Sequence, residues 1–271
     1  MSATPRAELG SASPHGRAGR LHTVRLEEAT AQPWRNGGGV TRELLAWSAP
    51  DGRTDDKAAR QGGESSSSHW DLRVSVADIT QDGPFSAFPG ISRCFAVLEG
   101  AGVVLSLRGQ DHALTADSEP LAFDGAEAPG CRLTSGPTRD LNLMVQHRAG
   151  QAWMQRALAG QFGPPHTPPH LTPGGSATPA QVTGALASPT PWAWYGLYTH
   201  GPAQLETPDG SVMLPAGTLV WSNAWLTKSS ELTPLASWRL VDGAQAWWLG
   251  LLVGGTRQSE RNKRTEDETL R

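Results

Sequence analysis

Cysteine is nearly absent from these 271 residues: there are two, Cys94 and Cys131, and no CxxC pair. That excludes the thiolate clusters from which structural zinc sites are built, and both thiols read as small buried hydrophobes. No apolar run approaches the roughly 20 residues that a membrane-crossing helix needs. The N-terminal stretch carries arginines without a continuous apolar core, so no secretory signal is expected. Excess positive charge is missing too, and a formal net charge of −3 offers no electrostatic reason for nucleic-acid binding. A GxxxxGK[ST] phosphate loop is also lacking. These absences leave the expectation of a soluble, cytoplasmic protein that meets neither nucleic acid nor membrane.

Turn formers, by contrast, are plentiful. The 31 glycines and 21 prolines suit an all-β chain of short strands joined by tight turns. Residues 1–20 have almost nothing to bury and read as disordered, as does the charged tail at 256–271. An N-terminal barrel is expected over 21–150, interrupted by a low-complexity loop at 50–68. A Pro-rich connection follows at 151–190, and a second barrel at 191–255. Residues 149–162 fit either a helix or a strand. A hairpin is expected around Glu99–Gly102, and another at ETPDGSV in the second half. The rhythms of VLEGAGVVLSLRG and HGPAQLETPDGSVMLPAGTLV form a weak internal repeat, suggesting two small closed β units. The 11 tryptophans fall mostly in strand-like runs and suit the filling of such units.

Two strands carry the clearest pattern. In DLRVSVAD, Leu72, Val74 and Val76 share one face, and Arg73, Ser75 and Ala77 the other. In DLNLMVQ, Leu141, Leu143 and Val145 oppose Asp140, Asn142 and Met144. If both strands lie in one sheet, their polar faces line a common cavity.

The segments PWRNGGGVTREL (33–44), RVSVADITQDGPFSAFPGISR (73–93), VLEGAGVVL (97–105), FDGAE (123–127) and RDLNLM (139–144) strongly resemble the HutD/Ves family of the cupin superfamily. The resemblance covers most of residues 22–148 and is looser beyond. It implies a two-barrel bicupin, a double-stranded β-helix of jelly-roll type, without established catalytic activity. It further implies a small carboxylate partner such as urocanate, formylglutamate or formate, and a role as a sensor or modulator of histidine utilisation or of a stress response. A homodimer stays open.

Enzymatic cupins generally hold a metal with two closely spaced histidines, a carboxylate and a third histidine. None of the eight histidines here forms HxH; the chain reads PFSAFPGISR and DGAEAPGCR where such ligands would fall. Neither a metal nor another cofactor is therefore expected. The chemistry that is expected is anion binding. Arg73, Ser75 and Asn142 lie on polar strand faces, and Arg42 and Arg93 come from adjoining motif segments. A guanidinium matches a carboxylate as a planar fork. Asn142 supplies a donor and an acceptor. Asn36 and Gly38, in the triple-glycine segment, offer backbone N–H groups, and Ser86 a hydroxyl. Glu43 and Asp140 are placed behind the arginines, holding them in position. A ligand-free polar network among the same groups explains them as well, so the choice stays open here. So do two other readings: a metal-independent isomerase, epimerase or hydrolase, and a purely structural or partner-binding β protein.

Overall fold

A computed structural model describes residues 21–48, 70–163, 192–222, 238–243 and 245–252. The expected disordered segment 1–20, the loop 50–68, most of the Pro-rich connection and the tail 256–271 lie outside the described residues. Among the described residues the regular structure is strand, with two three-residue 3-10 turns at Leu26–Glu28 and Gly125–Glu127.

The first barrel is two facing sheets. Six antiparallel strands run in the order Ala31–Pro33, Gly39–Trp47, Leu72–Ile79, Thr138–Gln146, Ile91–Glu99, Leu121–Asp124. Four more, Gly83–Pro84, Gly130–Leu133, Val103–Leu107 and Gln110–Leu114, form the opposing sheet. Ile79, Phe95 and Val97 from the first sheet meet Val103, Leu105 and Cys131 from the second. The hairpin expected at Glu99–Gly102 is a crossing instead, because Ile91–Glu99 and Val103–Leu107 belong to different sheets. A hairpin lies one strand later, where Arg108 (φ 50) and Gly109 (φ 76) both take the positive φ that a two-residue turn of right-handed twist requires. At the crossing, Gly102 (φ +96) passes so near the Leu114 carbonyl that a Cβ would stand 2.1 Å from its oxygen. Only glycine fits there.

The second barrel reaches beyond 191–255. Its larger sheet runs Leu21–Arg25, Thr218–Ser222, Trp192–Thr199, Ala246–Leu252, Gln151–Ala157. The N-terminal strand thus pairs with Thr218–Ser222, and Gln151–Ala157 is a strand paired along Ala246–Leu252. The smaller sheet contains the expected ETPDGSV hairpin, Ala203–Thr207 with Gly210–Leu214, and Arg239–Gly243. Trp153, Tyr195, Trp238 and Trp248 fill the interior between these two sheets, as large flat side chains do in a small closed core.

Between the barrels lies a further apolar layer. Leu72, Val74, Val76, Leu141, Leu143 and Val145 pack against Met154, Trp194, Tyr198, Trp247, Leu249 and Leu251 of the second barrel. Each fully buried side chain of this size contributes roughly 1.5–3 kcal/mol, so the two barrels are joined as one body. Alternation then sends Arg73, Ser75 and Ala77, and with them Asp140, Asn142 and Met144, into the first barrel's interior. The fold is the two-barrel bicupin, with its apolar strand faces outside the first barrel and its polar faces inside.

Candidate functional site

Strand register lays the inner face out as rows. Arg73, Met144, Arg93 and Phe123 are successive cross-strand partners. The next row is Glu43, Ser75, Asn142 and Phe95, and the third is Thr41, Ala77, Asp140 and Val97. Cross-strand neighbours on one face lie within side-chain reach, so the rows gather two arginines, an asparagine and an aspartate around one cavity. Its volume is about 590 Å³, and its lining includes Asn36, Arg73, Ser75, Ser86, Arg93 and Asn142.

Arg93 is the deep element, 6% exposed. Its guanidinium lies 5.2, 5.7 and 5.1 Å from the ring centroids of Phe85, Phe88 and Phe123, a cation-π enclosure that replaces part of the lost hydration. It donates to Asn142 Oδ1 at 2.7 Å, and the Asn142 amide donates in turn to Asp140. The Nε of Arg93 is buried with no partner among the described residues. Burial lowers the Arg93 pKa to about 10, against the pull of Asp140 and with the push of Arg73, so the group stays cationic at neutral pH. Burial also pushes the Asp140 carboxyl well above its ordinary range, opposed by Arg93 and reinforced by Asp78. A buried donor lacking its partner is costly, and Arg93 is one of the residues that line the cavity.

Arg73 stands nearer the mouth, where its Nε donates to Glu43 Oε2 at 2.6 Å. This single contact leaves the two terminal amino groups of Arg73 without a partner among the described residues. Glu43 therefore positions Arg73 from behind. Asp140 does more than stand behind the site, since it also lines the cavity.

Two expected ligand contacts are not brought in. Arg42 is in register with Val76 and shares its outer face, because Thr41 and Glu43 take the inner positions of that strand. Its guanidinium donates to Asp78 at 2.6 Å, as does Arg139. Arg139 also reaches Glu99, which pairs with His200 of the second barrel at 2.9 Å. Gly38 lies outside the cavity lining: its N–H donates to Asn36 Oδ1 at 3.0 Å and its carbonyl accepts from Thr80 and Gln81. The glycine segment builds the hairpin tip; at Gly39 a Cβ would stand 2.3 Å from the Asp78 carbonyl oxygen and 3.2 Å from the Trp34 ring. Trp34 is thereby seated, with Nε1 donating to Thr41 Oγ1 at 2.7 Å and its ring edge-on to Phe85.

Arg35, Thr41, Phe88 and Met144 also line the cavity and were not singled out from the sequence. Thr41 and Met144 were readable, since each shares its strand face with a selected residue. Arg35 gives no periodic signal because it sits in a turn. The donor set does not fit a metal ion: among the described residues no three His, Cys, Asp or Glu side chains gather as ligands, and two guanidinium groups occupy the polar wall.

A family model described as HutD matches residues 26–167. An uncharacterized 21.2 kDa protein in the hutC 3' region of Pseudomonas putida is 32% identical over 137 residues, 49% of this chain and 64% of that one. Protein Ves of Citrobacter koseri is 34% identical over 115 residues, 42% of this chain and 51% of that one. The chain thus spans about half to two thirds of the length of these curated relatives. Among solved structures, HutD from Pseudomonas fluorescens SBW25 superposes with a TM-score of 0.59 at 21% identity, over 87% of this chain and all of that one (100%). A conserved protein of unknown function from Pseudomonas aeruginosa PAO1 gives 0.56 at 21% identity, over 86% of this chain and 97% of that one. Both likenesses are of fold.

Proposed function

The chain belongs to the HutD family, and we propose that its first barrel binds a small carboxylate and serves as a sensor or modulator. The observation that carries this reading is Arg93, 6% exposed, with a buried Nε that has no partner among the described residues, in a cavity it shares with Arg73. A carboxylate entering between them gains charge-assisted hydrogen bonds of roughly 1.5–3 kcal/mol each. Ser75 and Asn142 lie in the row beside it to orient the acid. The family and the Pseudomonas putida relative's position in the hutC 3' region support histidine utilisation as the setting. The natural first probes are therefore urocanate, formylglutamate and formate. A thermal-shift series with each at millimolar concentration tests the site: stabilisation by at least one acid is expected, and no response to any of them overturns the reading.

A second reading, a metal-independent isomerase, epimerase or hydrolase, has one observation behind it. Asp140 borders the cavity at 1% exposure, and burial favours its protonated form, the state a general acid needs. Turnover of a bound acid, followed by nuclear magnetic resonance, would favour that reading; unchanged acid after prolonged incubation leaves a binding protein.

A further inference from the structure

Resting on the carboxylate reading of the first barrel, we infer that its ligand is a two-headed acid, a small dicarboxylate, whose second carboxylate is held by Arg35 at the mouth. Three arginines, Arg35, Arg73 and Arg93, line the same cavity. Two of them already have compensating groups: Glu43 on Arg73, and Asp140 linked to Arg93 through Asn142. Arg35 has no acidic partner among the described residues. Its position is built rather than incidental. The hairpin joining Ala31–Pro33 to Gly39–Trp47 carries it, with the preceding Trp34 pinned to Thr41 and against Phe85. The following turn is closed by Asn36 on the Gly38 N–H and by Gly37 at φ +71.

The two cations differ in burial. Arg93 is 6% exposed, whereas Arg35 is exposed at the rim. The second carboxylate of a two-headed acid therefore has a separate, exposed cation to meet, apart from the enclosed Arg93. A volume of about 590 Å³ is also far more than a one- or two-carbon acid fills, and lies within the ordinary range for small-molecule sites. Trp34, Pro33 and Phe88 line the cavity as well, an apolar wall suited to the short carbon chain joining two acid groups. Among the described residues Glu43 is the one carboxylate hydrogen-bonded directly to any of the three arginines, which leaves an excess of positive charge that favours a ligand of charge −2.

Calorimetric titration of the full chain with succinate and glutarate, beside the chain-matched monoacids butyrate and valerate at constant ionic strength, tests this. The better diacid is expected to bind on the order of tenfold tighter than its monoacid. Arg35→Gln is expected to bring that ratio to about one through loss of diacid affinity, and Arg35→Lys to restore part of it. Equal affinity for diacid and monoacid in the unaltered protein overturns the inference while leaving the carboxylate site standing. So does a preference that survives Arg35→Gln. If none of these four acids binds while urocanate, formylglutamate or formate stabilises the protein, this inference fails and the carboxylate reading stands; if none of the seven has an effect, both fail.

Discussion

Arg73 and Arg93 are both in register with Met144, one from each side, so their side chains enter one cavity in a single row across three neighbouring strands. Two like charges held in this way repel, and the push of Arg73 on Arg93 contributes to its lowered pKa. Glu43 and the Asn142–Asp140 pair offset that repulsion from opposite sides. An anion between the two arginines relieves the rest, which is why polar groups in such an arrangement point to binding more than to stability.

Arg73→Ala should abolish stabilisation by the acid while changing the ligand-free protein by no more than about 1 kcal/mol, since a partly exposed ion pair contributes little. Ligand at a hundred times its Kd stabilises by about 2.7 kcal/mol, and that gain should disappear. Differential scanning calorimetry with and without the acid measures both. A ligand response that survives the substitution makes Arg73 structural.

Arg93 and Asn142 should behave as a coupled pair. Arg93→Met leaves the buried Asn142 oxygen without its donor, at a cost of about 1–3 kcal/mol. The double variant Arg93→Met with Asn142→Leu should lose less than the sum of the two single losses, because contacting residues do not add independently. Urea unfolding of the four proteins gives the coupling, and strict additivity would show that the 2.7 Å hydrogen bond contributes nothing.

Two aspartates on opposite faces of one sheet should respond to pH with opposite sign. Burial pushes Asp78 up, but the hydrogen bonds from Arg139 and Arg42 outweigh it and hold the carboxyl below its ordinary 3.8. Its stabilisation is therefore present above pH 3.8 and disappears as pH falls through the lower folded-state value. Asp140 is held above 3.8 by burial, so its effect is a loss of stability as pH rises from 3.8 toward its folded-state value. Asp78→Asn should cost about 2 kcal/mol at neutral pH and nothing in strong acid. Asp140→Asn keeps an oxygen acceptor for the Asn142 amide and should flatten the decline on the alkaline side. Unfolding free energies from acid to neutral pH check both; slopes unchanged in either variant contradict the assignment.

Gly37→Ala and Gly39→Ala should separate sharply, although the residues stand two apart. Gly37 has φ +71 and no atom within 4 Å of an added Cβ, so the cost is the left-handed strain alone, about 1–2 kcal/mol. At Gly39 the Cβ would meet the Asp78 carbonyl oxygen at 2.3 Å, forcing apart a strand pair that carries the hairpin over the cavity mouth. Thermal midpoints should fall modestly for the first and steeply for the second, with acid binding lost only in the second. Equal effects would show that the close approach at Gly39 is not what the turn depends on.

Much of the cavity lining was legible. The alternation of Arg73 and Ser75, and of Asp140 and Asn142, is local to each strand and survives into the fold unchanged. Arg42 stands outside the cavity although its motif points to the site: Thr41 and Glu43 are in register with Ala77 and Ser75, which puts the residue between them on the far side. Leu44 is the extra residue of a bulge between Glu43 and Leu45, so alternation counted through it would have failed in any case. Strand Gln151–Ala157 stayed ambiguous, and the placement of Leu21–Arg25 was missed, since both find their partners in the second half of the chain and no local pattern announces a partner so distant.

The amino-acid order by itself determined that the strands at 72–79 and 138–146 have one apolar and one polar face, because side chains must alternate along extended backbone. It could not determine which face turns inward. In a lone barrel the apolar faces would close on each other; here Trp194, Trp247 and Leu249 of the second barrel cover them from outside. That cover, assembled only in the tertiary structure, leaves the arginines and amides to line the interior.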